Sequence, residues 1–230
     1  MLGVIGGMGP AATADFFAKL IEETPAAGDP EHIPTLIVSD PRLPSRTAAI
    51  LDGGPSPLPS LLAIRDKLLA AGATLLAMPC NTAHYWYEEL ARGCPAPFIS
   101  IVEASCDAVR RIAPPGSSVG LIGTRATLAA GIFEQRLRAA GYAALLPSEE
   151  QLAGRILPSI RLVKEGRPAR AGETLAPAVR ALLDRGAAAI ILACTETPVA
   201  LDAVASSLRE RCVDSNRALA QSCVARWRAR

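Results

Sequence analysis

Residues 71–82 read AGATLLAMPCNT and residues 185–196 read RGAAAIILACTE, and the two stretches align at an offset of 114 residues. Gly72 falls on Gly186 and Cys80 on Cys194. Each stretch runs from a glycine through a short apolar run into a cysteine, then into polar side chains. An unbroken apolar run of roughly four to eight residues suits a strand buried on both faces, as in a parallel sheet. A second pair repeats at nearly the same spacing: GVIGGMGPAATADFF (3–17) against GLIGTRATLAAGIFE (120–134), offset 117. Gly3 then pairs with Gly120, Gly6 with Gly123 and Phe16 with Phe133. Two matches at almost one offset imply two similar α/β halves of about 100 residues each, a normal domain size.

Outward from these stretches, short apolar runs alternate with helical patterns. Strands are expected near Leu2–Ile5, Thr35–Ser39, Leu75–Pro79, Phe98–Ile101, Val119–Ile122, Ala143–Leu146 and Ala188–Ala193. Helices are expected over Pro10–Glu23, Pro59–Ala71, Val102–Ile112, Thr127–Ala140, Gln151–Glu165, Ala171–Arg185 and Ser215–Arg230. Such alternation predicts an α/β fold of two pseudo-symmetric domains, each a mostly parallel sheet flanked by helices, flavodoxin-like or Rossmann-like. The expected domains are residues 1–101 plus 213–230, carrying Cys80, and residues 102–212, carrying Cys194. DGGPSPLP (52–59) reads as a surface loop from its glycines and prolines.

Composition removes several function classes. The chain has 230 residues, 24 Lys+Arg against 22 Asp+Glu, and half its residues are hydrophobic, as in a soluble globular protein. A net charge of +2 and few aromatics argue against a nucleic-acid partner. Leu68–Tyr87 has the length of a membrane span without charge, but it contains Gly72, Thr74, Pro79, Asn81, Thr82 and His84, which argue against a membrane. The N-terminus lacks the basic region of a signal peptide, its first lysine being Lys19. Cys80, Cys94, Cys106, Cys194, Cys212 and Cys223 include no C-x-x-C pair, so neither a disulfide framework nor a structural zinc site is expected. The expectation is a cytoplasmic protein with reduced thiols.

Cys80 and Cys194 each follow a strand pattern and precede a helix pattern. They therefore belong at the carboxyl ends of parallel strands, where open α/β sheets bind ligands. A helix N-terminus at that place favours the thiolate. Two such thiols on opposite faces of one carbon could remove and return its proton, a two-base stereoinversion. The blander alternative is a pair of small buried residues, which duplication with polar neighbours disfavours. Cys94, Cys106, Cys212 and Cys223 have no matched partner and read as packing residues.

GGMGPAATADFF (6–17), MPCNTAH (78–84) and ACTET (193–197) resemble the aspartate/glutamate racemase family, nearest its aspartate racemase branch. The resemblance spans essentially the whole chain. It implies an amino-acid racemase without cofactor or metal, acting on a small amino acid and usually a homodimer. Cys80 and Cys194 match the family's catalytic pair. Asn81, Thr82, Thr195 and Glu196 match neighbours with roles in substrate contact or thiol activation. LPSRTAAI (43–50) points to Arg46 and IRLVKEG (160–166) to Lys164. Met8 joins the substrate-binding set through the glycine turn. That turn lacks the Asp-Ser of dedicated glutamate racemases, which favours aspartate or a broader range. Thr197-Pro198 departs from the usual aliphatic residue after CTE.

Elementary chemistry supports the same residues. A dicarboxylate needs fixed positive charge, for which Arg46 offers a planar fork and Lys164 a point charge. Lys164 is one of only three lysines, with Lys19 and Lys67. Thr124 and Thr127, at the second glycine turn, can present hydroxyls to a carboxylate, although Thr127 also suits an N-cap or first helical turn. Four rivals remain. Gly7-Met8-Gly9-Pro10-Ala11-Ala12 fits a dinucleotide fingerprint, but Pro10 removes an amide and Asp40 lies beyond the usual spacing of about 20 residues. Cys80 and His84, four apart, could share a metal, though two ligands are too few. A same-fold diacid isomerase would reuse the Cys pair, and a non-catalytic dicarboxylate-binding protein would not need it.

Overall fold

The computed structural model describes residues 1–229 and divides into two units, Met1–Ala104 with the chain from Asn216 onward, and Ser105–Ser215. The first opens with β1 (Leu2–Gly6), α1 (Pro10–Glu23), β2 (Thr35–Ser39), α2 (Arg46–Leu51), α3 (Leu58–Ala70) and β3 (Leu75–Ala77). A 3-10 turn over Thr82–Trp86 leads to α4 (Tyr87–Ala91), β4 (Phe98–Ile99) and α5 (Ile101–Val109). The second unit contains β5 (Ser118–Gly123), α6 (Arg125–Ala129), α7 (Ile132–Ala139), β6 (Ala143–Leu145) and α8 (Glu149–Gln151). A π turn at Leu152–Ile156 joins α8 to α9 (Leu157–Lys164), followed by α10 (Pro168–Asp184), β7 (Ala187–Ala193), α11 (Glu196–Asp202) and β8 (Cys212–Asp214). Last comes α12 (Ser215–Arg228).

Each unit is one four-stranded sheet, ordered β2-β1-β3-β4 in the first and β6-β5-β7-β8 in the second. Every strand pair is parallel. The two orders are equivalent, so the internal repeat is an architectural one. All five residues of β1 are buried, as its unbroken LGVIG run requires of a central strand covered on both faces. Gly3 and Gly120, matched in the repeat, have the same use. A Cβ on Gly3 would lie 2.8 Å from Leu76 and 3.1 Å from Leu68 of α3. On Gly120 it would lie 2.4 Å from Ile190 and 3.3 Å from Leu182 of α10. In both halves the missing side chain lets the helix before the cysteine strand seat against the sheet.

The unit boundaries fall inside α5 and at the start of α12, three residues beyond each crossover expected from the sequence. Polar links hold α12 on α1. Asn216 Nδ2 donates to the Ala12 carbonyl at 3.0 Å and to Asp15 Oδ2 at 2.8 Å, and Arg217 pairs with Glu22 and Glu23. The same Asp15 oxygen accepts from the buried Lys19, 2.6 Å away.

Several expected elements differ. Thr127–Ala140 is two helices, because Gly131 adopts φ +65° between them. Arg46 starts a short helix that the sequence pattern did not mark, with Ser45 as its cap. The expected Leu75–Pro79 strand stops at Ala77, and Phe98–Ile101 at Ile99. Strand β8 and helix α11 are additional elements that no sequence pattern marked. All six cysteines are free thiols. Among the described residues no helix is long and apolar enough to cross a membrane.

Candidate active-site residues around two cysteines

In the first unit, the chain leaves β3 through Met78 and Pro79 and turns at Cys80. The Cys80 amide donates to the Met78 carbonyl at 2.8 Å. The helix pattern after Cys80 begins as a 3-10 turn, so the helix-dipole argument for a Cys80 thiolate loses force. Cys80, Asn81, Thr82 and His84 are all buried. His84 Nδ1 lies 2.9 Å from the Cys80 carbonyl, and its Nε2 accepts the Ile101 amide at 3.0 Å. Because Nε2 accepts, Nδ1 must carry the ring proton and donate it to Cys80. Burial pushes His84 down to about 4, only partly offset by the Cys80 hydrogen bond, so the ring is neutral at ordinary pH. It stacks on Tyr87, whose hydroxyl donates to the Phe98 carbonyl of β4.

Helix α2 packs against this 82–86 turn, which brings the segment bearing Arg46 to the Cys80 side. The half-buried Arg46 spends one nitrogen on the carbonyls of Leu43 and Pro44, at 3.3 and 3.0 Å. Met8 is buried in the same apolar cluster as Cys80 and Leu43. In the glycine turn the Gly7 amide donates to Thr13 Oγ1 at 2.9 Å, and Thr13 donates on to Gly9. A donor that a dinucleotide fingerprint would offer to phosphate is thus taken inside the protein, and Asp40 pairs with Arg42. Both ring nitrogens of His84 are likewise occupied by backbone, which removes it as a metal ligand in this arrangement.

In the second unit, Cys194 directly follows β7. Gly123 is in register with Ala193, so Thr124 and Cys194 leave neighbouring strands side by side. Thr124, not Thr127, is the N-cap of α6. It accepts the Thr127 amide at 3.1 Å, and the two hydroxyls lie 2.9 Å apart. The Cys194 thiol donates to Glu196 Oε2 at 3.0 Å, and Thr195 Oγ1 donates to the same oxygen at 3.3 Å. Lys164, at the end of α9, places its ammonium 3.6 Å from Glu196 Oε1. Burial, then the Glu196 charge, hold the Cys194 thiol well above the usual range, with Lys164 opposing weakly. Cys194 therefore rests as a thiol with a carboxylate acceptor already in contact. Thr197 closes the turn, its hydroxyl donating to the Cys194 carbonyl at 2.7 Å and its amide to the same oxygen at 3.0 Å.

In the second unit Thr195, Glu196 and Lys164 thus link to Cys194, while in the first Asn81 and Thr82 follow Cys80 in the chain and Arg46 bonds to the carbonyls of Leu43 and Pro44. Thr13, Thr197 and the donor nitrogen of His84 hold the backbone of these turns in ways the sequence alone did not assign. A histidine four residues after Cys80 was the available signal. Cys106, Cys212 and Cys223 are buried, and burial pushes Cys212 up to about 12 and Cys223 higher still.

The sequence model of the Asp/Glu/hydantoin racemase family matches residues 5–223, nearly the whole chain and both cysteine turns. The chain belongs to that family. It is accordingly an isomerase of the amino-acid racemase type. Over its full length this racemase is 27% identical to the broad specificity amino-acid racemase RacX of Bacillus subtilis (strain 168), covering 99% of it. Its fold matches the Picrophilus torridus aspartate racemase with a TM-score of 0.84 and 28% identity, over 99% of this chain and 94% of that one. Glutamate racemase isoform RacE1 of Bacillus anthracis shares the fold at a TM-score of 0.74, with 17% identity over 100% of this chain and 82% of that chain.

Proposed function

We propose that this racemase interconverts L- and D-aspartate without a cofactor, using Cys80 and Cys194 as the two bases. The observation that carries the reading is the Cys194–Glu196–Lys164 arrangement: a thiol in hydrogen-bond contact with a carboxylate that is itself charge-paired. Glu196 takes the Cys194 proton, and the resulting thiolate removes the substrate's Cα proton. The Cα–H electron pair passes into the α-carboxylate as an enediolate. Cys80 then gives its thiol proton to the opposite face of Cα, and the reverse direction exchanges the two roles. Arg46 and Lys164 are the cations for the substrate carboxylates, and Lys164 exchanges its Glu196 partner for substrate in part. Asn81, Thr82, Thr124, Thr127 and Thr195 supply the remaining polar contacts.

Aspartate is favoured by the likeness to the Picrophilus torridus aspartate racemase, together with the absence of the Asp-Ser turn. The end-to-end similarity to a broad specificity racemase supports a second reading, in which neutral amino acids are also accepted. A homodimer, on the family resemblance, and a cytoplasmic location, on the pattern of cysteines that form no disulfide, belong to the same proposal. The test is incubation of L- and D-aspartate in heavy water with the purified protein. Deuterium is expected at Cα as optical rotation decays. Absence of both exchange and inversion across acidic and neutral amino acids would refute the proposal.

A further inference from the structure

The Cys80 turn has a feature that the proton-transfer chemistry does not use. The Cys80 peptide is gripped at both ends, its amide by the Met78 carbonyl and its carbonyl by the His84 ring. The other nitrogen of that ring holds the first amide of α5, and its flat face lies against Tyr87, 5.5 Å away and tilted by 9°. Tyr87 is in turn tied to β4 through the Phe98 carbonyl. One buried imidazole thus fixes the position of the Cys80 backbone relative to β4 and α5. Nor is the arrangement an accident of one turn: the Cys194 carbonyl is held in the same manner, by the Thr197 hydroxyl.

We infer that His84 is a positioning residue for Cys80, setting where its thiol sits by clamping the Cys80 carbonyl with Nδ1–H and the α5 amide with Nε2. The inference rests on the reading of Cys80 as a proton-transferring group. A displacement of about 1 Å in a reacting group can cost on the order of 10²-fold in rate. Breaking the clamp therefore lowers turnover even though His84 touches no substrate.

Two substitutions separate its two bonds. His84→Asn places an amide near Nδ1 and keeps the donor to Cys80, whereas His84→Gln places an amide near Nε2 and keeps only the partner for Ile101. Expected results are a fall in kcat of on the order of 10²-fold for His84→Gln with KM little changed, and substantial rescue in His84→Asn. Iodoacetamide labelling, resolved by mass spectrometry, is expected to change at Cys80 in His84→Gln and to stay constant at Cys194. Wild-type kcat and Cys80 labelling in a folded His84→Gln protein would overturn the inference and leave the ring a packing group. The unaltered protein supplies a check independent of folding: nitrogen NMR is expected to show the Nδ1–H tautomer, and an Nε2–H tautomer would overturn the clamp. A protein that racemises nothing, yet shows altered Cys80 labelling in His84→Gln, would uphold the clamp while removing the racemase proposal.

Discussion

Cys80 and Cys194 stand at equivalent places in two sheets of equivalent order, yet different groups stand behind them. Cys194 has a carboxylate at its sulfur and a threonine hydroxyl at its carbonyl. Behind Cys80, the carbonyl is held by a neutral imidazole, and the aligned position two residues on is Thr82 where the other half has Glu196. Duplication of a sheet copies a location, because strand order and the matched glycines determine where the chain emerges. It does not copy chemistry, because the residues after the cysteine are free to diverge once the turn is held. A racemase must treat mirror-image substrates, but its own two sides need not be mirror images.

The largest effect would test whether both halves are needed. Cys80→Ser and Cys194→Ser are each expected to reduce racemisation by at least about 10³-fold, the scale of a lost acid–base group. Near-normal turnover in either variant would end the two-base comparison. Glu196→Gln sharpens the asymmetry. It keeps a hydrogen-bond partner but removes the negative charge, so the Cys194 thiol is expected to ionise at lower pH while kcat falls by about 10²-fold. Alkylation of Cys194 against pH reads the first effect and steady-state rates the second. An unchanged alkylation profile would show that the carboxylate does not govern that thiol.

A smaller effect belongs to the Cys80 side alone. His84 titrates near its usual 6.5 in the unfolded chain but only near 4 in the fold, where burial disfavours its cation. Below the unfolded value, the unfolded chain binds more protons, so stability falls as pH drops from 6.5 towards 4 and is fully present above that window. At about 1.4 kcal/mol per pH unit, the loss attributable to His84 amounts to about 3 kcal/mol. Urea midpoints against pH are expected to show this slope in the wild type and a flatter one in His84→Asn. Equal slopes would place the acid sensitivity elsewhere.

Much of this was legible because parallel strands buried on both faces must be continuously apolar. LGVIG, TLLA and AAAIILA therefore announced themselves, and the thiols after the last two marked the carboxyl ends of β3 and β7. What escaped notice had mixed character. Strand β8 is three residues long and ends in Asp214, a buried carboxylate that pairs with Arg209 2.7 Å away. No local pattern announces a partner five residues earlier. Helix α2 is six residues long and too short for a periodicity to emerge. Among the site residues, Glu196 and Lys164 were readable as types, but their ion pair joins residues 32 apart in sequence through the packing of α9 on α11. The His84 clamp was hidden for another reason. A ring that bonds only to backbone leaves no complementary side chain in the sequence to betray it.

The first unit is discontinuous in sequence, since α12 returns to it after the whole of the second. On the ribosome this sets an order of completion. Every residue of the second unit has been synthesised before Asn216 and Arg217 exist, so that unit's sheet can close while Asp15, Glu22 and Glu23 of α1 still await their partners. The half that carries Cys194 is thus an uninterrupted insertion that can mature early. The half that carries Cys80 is sealed later, by a helix made only after the whole of the other half.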